Sequence, residues 1–213
     1  MRLILCLLTA LALSACGYPP GDDNTFEEVS RAPYRHDGPP SLTLFTMVSN
    51  TTGAGEHSSL MINAPSQRVI FDPAGSVRHS AVPERQDVLY GITPRIADFY
   101  ARAHARESFH VRIQDVEVPP DVAEKALALA QANGRVPYAF CASATAGILR
   151  QLRGFESIRS TLWPKSLANQ FAEIPGVREQ VLYEDDSDDK RVAIEAFQPR
   201  APIDTVAADQ PNR

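Results

Sequence analysis

RVPYAFCASATAGILRQL, residues 135–152, decides how the rest of the chain is read. Val136 to Phe140 reads as an extended approach that delivers Cys141 to the first turn of a helix running to about Gly154. Ala142, Ser143, Ala144, Ala146 and Gly147 keep that helix thin, so it can lie close against a sheet. A thiol at a helix N-terminus sees unpaired N–H groups and the positive end of the peptide dipoles, which favour thiolate over thiol. The same N–H groups suit an oxyanion of the kind formed in acyl transfer. Free cysteine is also among the most buried residue types, so an inert, packed thiol is the competing reading.

Upstream, Ser41 to Ser49 (SLTLFTMVS) has the β-branched and aromatic content of a strand, and Asn50 to Glu56 has turn chemistry. His57 to Asn63 and Arg68 to Asp72 read as two arms of a hairpin around Ala64-Pro65-Ser66, which makes an antiparallel meander of three strands. Thr93-Pro94 opens a helix with apolar Ile96, Phe99, Tyr100 and Ala103 at helical spacing and His104 in its last turns. Phe109 to Val118 alternates and then shifts phase at Val116, which predicts a strand with a bulge. Downstream of it, Asp121 and Glu124 have the spacing of a capping box, and Asn133-Gly134 ends an Ala/Leu-rich helix. A short helix over Trp163 to Glu173, with Trp163 in the core, and a last strand over Arg178 to Tyr183 complete the pattern. The fold class is α+β, an antiparallel sheet packed against helices in one domain over 41–198.

The ends of the chain read differently. Arg2, the apolar run Leu3 to Leu13 and the small residues after it have the make-up of a signal peptide, residues 1–15. That run is too short to span a bilayer. Leu13-Ser14-Ala15-Cys16 resembles a bacterial lipobox, which implies a lipidated Cys16 as the mature N-terminus and a lipid bilayer as partner. With Gly17 rather than Asp next, lipoprotein sorting in bacteria with two membranes implies the periplasmic face of the outer membrane. Residues 16–40, rich in Pro, Gly and acids, read as a flexible tether, and 199–213 as a disordered tail. A chain of 213 residues with 44% hydrophobic content and net charge -5 suits one domain, and without a basic run it excludes nucleic acid as the main partner.

Of 3 cysteines, Cys6 leaves with the signal and Cys16 carries lipid, so Cys141 is the one thiol of the folded domain. A disulfide-permissive compartment offers it no partner, so it is either buried or kept for its chemistry. A thiol nucleophile needs an imidazole within hydrogen-bond reach. Of 5 histidines, His36 lies in the tether, His79 in a loop, His104 on a helix and His110 in a strand. His57 begins a hydrophobic strand just after Gly53-Ala54-Gly55, where a polar ring can face a cleft; a surface position at a strand end is the alternative. If Ala64 pairs with Gln67, His57 lies opposite Ala74 and Asp72 falls on its face; a slip of one residue reverses that. Asp72 is then the candidate to orient the ring, with His79 as the fallback, while an Asp-Pro-x-Gly turn explains the same residue without chemistry. No G-x-S-x-G elbow, zinc spacing or phosphate loop occurs, and the acidic run Glu184 to Asp189 reads as a solvated loop rather than a metal site.

GEHSSLMI at 55–62, RVIFD at 68–72, and YAFC at 138–141 with Ala146 and Leu149 beyond it together resemble the circularly permuted branch of the NlpC/P60 superfamily. These are papain-like thiol hydrolases, and the branch includes lecithin:retinol acyltransferase-like proteins and bacterial lipoproteins of the YaeF/YiiX type. The resemblance spans about Leu42 to Val177. It implies a permuted papain-like fold in which Cys141 is the nucleophile, His57 its base and Asp72 the orienting residue, with a thioester intermediate and neither cofactor nor metal. The substrates it implies are amides of cell-wall or other small peptides, peptidoglycan among them, or acyl esters of lipids. A non-catalytic envelope lipoprotein that keeps the cleft for binding is a further alternative. Many relatives carry a polar residue, often Asn, before the cysteine; Phe140 stands there in this chain and leaves part of the oxyanion hole unassigned.

Overall fold

Seven strands form one antiparallel sheet with helices on both faces, in a computed structural model that describes residues 23–199. Residues 1–22, with the expected signal peptide, Cys16 and the first part of the expected tether, and residues 200–213 lie outside the described residues. In chain order the elements are α1 (Phe26–Ser30), β1 (Ser41–Ser49), β2 (Gly55–Asn63), β3 (Arg68–Phe71), β4 (Glu84–Arg85), β5 (Val88–Leu89) and α2 (Pro94–His104). There follow β6 (Phe109–Glu117), α3 (Pro120–Ala132), α4 (Cys141–Leu149), α5 (Pro164–Ala172), β7 (Arg178–Leu182) and α6 (Lys190–Ala196). The strand order is β4-β5-β3-β2-β1-β6-β7, so the fold is α+β as the sequence pattern indicates.

The hairpin forms in the register set by its turn. The Ala64 N–H donates to the Gln67 carbonyl at 3.1 Å, and Leu60 then pairs with Phe71 and Ile62 with Val69. Leu42, Leu44, Leu60, Ile62 and Phe71 point to one face and pack on Ala142, Ala146, Leu149 and Phe171 of α4 and α5. Phe45, Met47, Ile70 and Val111 point to the other, against Ile96, Phe99 and Tyr100 of α2. Because both faces are covered, both side-chain phases of a strand are buried. That explains the phase shift in β6: Val111 and Ile113 serve one core and Val116 the other, and the pairing with β1 runs from Ser41↔Glu117 to Ser49↔Phe109 without a bulge. The irregularity of the sheet lies instead between Met47 and Val48, in the β1–β2 pairing.

Several sequence expectations give way to tertiary contacts. Residues 23–40 are not a flexible tether. Thr25 and Glu28 cap α1 reciprocally, Val29 is buried, the Asn24 N–H donates to the Glu84 carbonyl, and the Arg68 N–H donates to the Tyr34 carbonyl. The expected capping box on α3 is absent, since Pro119 is the N-cap and the Glu124 carboxylate accepts the N–H and hydroxyl of Ser66 instead. Trp163 is 73% exposed rather than in the core. The helix α4 ends at Leu149, and turns carry the chain to Gly154. A helix, α6, stands where no element was expected, and Phe197 after it stacks on Phe99 with ring centroids 3.9 Å apart.

Candidate active site

β3 is shorter than β2, and this leaves an opening. β3 pairs with β2 only at residues 60–63, so the outer edge of Gly55 to Ser59 has no strand beside it. The N-terminus of α4 closes on that edge, where Ser58 acts on the Cys141 sulfur. Gly55 makes room for the start of α5, because a Cβ there would lie 2.5 Å from the Lys165 backbone nitrogen. The approach to Cys141 is not extended. Tyr138 and Ala139 form a turn, with Ala139 at φ 67, and the Phe140 N–H donates to the Pro137 carbonyl at 3.3 Å. A non-glycine residue in that region is strained, and such strain persists only where neighbouring structure holds it.

The hairpin register places Asp72 and His57 on one face, and the structure brings them into contact. His57 Nε2 lies 2.7 Å from Asp72 Oδ1. Cys141 acts on the same ring, and sulfur and imidazole each favour the charged form of the other. Cys141 is 5% exposed, and the side chains of His57 and Asp72 are 18% and 3% exposed. Burial works against an imidazolium here, but hydrogen bonds from Asp72 and Cys141 outweigh it and raise the His57 pKa to about 10. Burial also opposes the Asp72 carboxylate, yet the bond and charge of His57 hold its pKa down at about 2. For Cys141, burial pushes the thiol up while His57 and the Ser58 donors pull it below its ordinary value, and the donors prevail. The arrangement therefore favours a thiolate–imidazolium pair backed by a buried carboxylate.

Three residues that sequence reasoning left without a role hold this triad. The Tyr100 hydroxyl, from α2, lies 2.7 Å from Asp72 Oδ1 and 2.7 Å from Ser59 Oγ. One phenolic proton serves one acceptor, so it goes to the carboxylate, and Ser59 donates to the tyrosine. Tyr100 was legible only as a core position of its helix; the hydroxyl has no signal in the sequence. Asp87 is the third. It sits in the two-residue turn between β4 and β5, where Gln86 and Asp87 have φ 50 and 63, as a type I′ turn requires. Its buried carboxylate accepts the Ala74 N–H at 3.1 Å and the Val136 N–H at 2.8 Å. One side chain thus ties the loop after Asp72 to the segment before Cys141. Gly75 belongs to the same fit, because a Cβ there would lie 1.8 Å from Asp72 Oδ2.

The remaining histidines fall elsewhere or play another part. His79, the fallback, packs edge-on against Phe99 and Phe197, and its Nδ1 accepts the Ala81 N–H at 3.0 Å; it does not reach the triad. His104 stacks on His57 with centroids 6.0 Å apart and bonds through Nδ1 to the Tyr100 carbonyl at 2.8 Å. Burial lowers its pKa to about 3, so it stands neutral beside the imidazolium. The acidic run is spent on ion pairs and hydrogen bonds, Glu184 with Arg102, Asp186 with Arg106, and Asp188 with Ser108. Among the described residues no cluster of three or more His, Cys, Asp or Glu could hold a metal, and no helix is long and apolar enough to cross a membrane. Comparison with family models, curated proteins and solved structures returned no match.

Proposed function

We propose that this chain is a cysteine hydrolase of permuted papain-like fold, cleaving amide bonds of small peptides, those of the cell wall included, through a thioester. The observation that supports it is the 2.7 Å contact between His57 Nε2 and the buried Asp72 carboxylate, with Cys141, at a helix N-terminus, coupled to the same ring. In this reading the Cys141 thiolate attacks the carbonyl carbon and the Cys141 N–H faces the developing oxyanion. The proton already on His57 passes to the leaving nitrogen as the C–N bond breaks. His57, now neutral, takes a proton from water, whose oxygen attacks the thioester and releases the acid, and the ion pair is restored. Asp72 holds the tautomer throughout. Lipidation at Cys16, attachment to a bilayer and a place on the periplasmic face of the outer membrane belong to the same proposal and rest on the lipobox-like sequence.

One observation favours a second reading, transfer or hydrolysis of a lipid acyl group. Tyr138 and Phe140, flanking the nucleophile, are 60% and 47% exposed, and Leu162 and Trp163 stand exposed before α5. The test of the shared chemistry is iodoacetamide labelling of Cys141, followed by peptide mass spectrometry across pH 5 to 9, in the full chain and in His57→Ala. Fast labelling well below the free-thiol pKa of about 8.5, slowed by loss of His57, supports the enzyme. Labelling that accelerates only on unfolding leaves a binding lipoprotein with a structural cysteine.

A further inference from the structure

On the side of His57 away from the α4–α5 core, a cavity of about 300 Å³ opens between the loop after Asp72, the end of α2 and the start of α6. His57 and His104 line it, as do Ser76, Arg106 and Lys190; Met47 and Phe109 supply apolar wall. Its charges do not cancel. Arg106 spends Nε and Nη2 on the Ala103 carbonyl, at 3.1 and 3.0 Å, and Nη1 lies 3.5 Å from Asp186. His104 donates through Nδ1 to a backbone carbonyl and is neutral. The acids at the rim are Glu56 and Asp188, both exposed, and Asp188 is occupied by the N–H and hydroxyl of Ser108. Lys190 differs from all of these. It is half-buried, its ammonium donates to the Ser76 hydroxyl, and among the described residues no carboxylate lies within ion-pair distance of it. The opposite charge that acts on it is Asp72, beyond ion-pair distance and already bonded to His57 and Tyr100, so the half-buried ammonium gains from an anion that arrives to pair with it directly.

We propose that this cavity receives a free carboxylate on the leaving group of the substrate, paired with Lys190, so that the preferred bond is the last amide of a peptide. The inference rests on Cys141 and His57 acting as the nucleophile and proton donor described above. His57 lines the cavity and Cys141 lies outside the lining, coupled to the same ring, so in this proposal the leaving group reaches past the imidazole to enter it. A volume of about 300 Å³ has room for an amino-acid residue. In the step itself the S–C bond forms, the C–N bond breaks, and the His57 proton goes to the nitrogen. The terminal amino acid leaves with its carboxylate still on Lys190, and water then hydrolyses the thioester. The second, larger cleft of about 660 Å³, between α2 and β7, holds none of the triad and has no part in this.

The test needs no known substrate. Chloroacetyl-glycine and chloroacetyl-glycinamide both alkylate a thiolate with loss of chloride and differ only in a carboxylate one residue beyond the reacting carbon. Rates at Cys141 of the full chain are divided by those of free cysteine, which removes the intrinsic repulsion between thiolate and acid. The expected ratio favours the carboxylate by about tenfold, the effect of one charge-assisted hydrogen bond, and falls to about one in Lys190→Met while Lys190→Arg keeps a preference. Equal rates in the wild type, or a preference unmoved by Lys190→Met, overturn the inference even where iodoacetamide labels Cys141 quickly. Slow labelling by iodoacetamide itself overturns the catalytic reading and this one with it.

Discussion

Replacing Asp72 by Asn removes one charge and almost nothing else. Oδ1 accepts from His57 and Tyr100, and an amide oxygen has the lone pairs to keep both bonds. The amide nitrogen takes the place of Oδ2, which faces Gly75. What disappears is the attraction between carboxylate and imidazolium. With charge centres about 4 Å apart and an effective dielectric of about 20, that is about 4 kcal/mol, or about three pH units. Losing it moves the balance between the thiolate–imidazolium pair and the neutral thiol–imidazole pair, which differ only in where one proton sits, by about the same energy toward the neutral pair. The thiolate share in Asp72→Asn falls accordingly, and iodoacetamide labelling of Cys141 at pH 6 falls with it, by up to about a thousandfold. Its inflection moves toward the free-thiol value of about 8.5. The pH–rate profile of labelling is the assay, with the melting temperature as the control that the variant is folded. A folded Asp72→Asn chain whose profile matches the wild type within about threefold refutes the reasoning and leaves Asp72 as a turn residue.

Other substitutions probe the supports of the same geometry. Tyr100→Phe leaves the Asp72 carboxylate one donor short in a buried place; it should cost about 1–3 kcal/mol in urea unfolding and slow labelling at pH 6 severalfold, and an unchanged rate would make the tyrosine a packing residue only. Gly75→Ala drives a methyl group into Asp72 Oδ2, so it should lower both stability and the labelling rate, whereas loss of stability alone would uncouple the loop from the triad. Asp87→Ala strips acceptors from the Ala74 and Val136 N–H groups and should cost about 2–4 kcal/mol, with hydrogen exchange accelerated at both amides. His104, held neutral with a pKa of about 3 against an ordinary 6.5, contributes stability that is whole above pH 6.5 and drains as pH falls toward 3, at about 1.4 kcal/mol per unit. Urea midpoints measured from pH 7 to 4 should therefore drop less steeply in His104→Gln. His57 has the opposite sign, since its raised pKa lends stability below 6.5 that is lost as pH climbs to about 10, but the Cys141 thiol, ionised in the folded chain and still protonated in the unfolded one, offsets this until about pH 8.5.

Much of the positioning was legible because it depends on local rules. A turn at Ala64 to Gln67 sets a register, the register sets a face, and the face puts Asp72 with His57; none of that needs the distant parts of the chain. The thin helix opening at Cys141 was legible for the same reason. What escaped are effects that distant residues impose. Ala139 takes a positive φ three residues after Val136, whose N–H is held by a carboxylate 49 positions upstream, in a turn whose residues carry only a weak turn signal. Glu124 abandons a capping box for Ser66, 58 positions away. Residues 23–40 have the composition of a linker, yet backbone hydrogen bonds to Glu84 and Arg68 and a salt bridge from Asp23 to Arg135 order them. Composition reports what a segment can bury by itself, not what backbone edges elsewhere offer it.

The short β3 is the step that joins fold to site. Had it continued along β2, its edge would have paired with Ser58 and Ser59, and no opening would remain for α4. Instead the chain turns away at Asp72, whose own N–H donates to the Asp87 carbonyl at 2.8 Å. The departure frees the Ser58 N–H for the Cys141 sulfur and leaves the Asp72 side chain beside His57. A buried carboxylate with no role in pairing or packing would be expensive, and burial does push its pKa upward. Here the cost is met by an imidazole and a phenol that both bond to Oδ1. Neither bond is needed to close the sheet. Both are needed if the imidazole is to stay charged against a sulfur, which is why the cluster is read as chemistry rather than as structure.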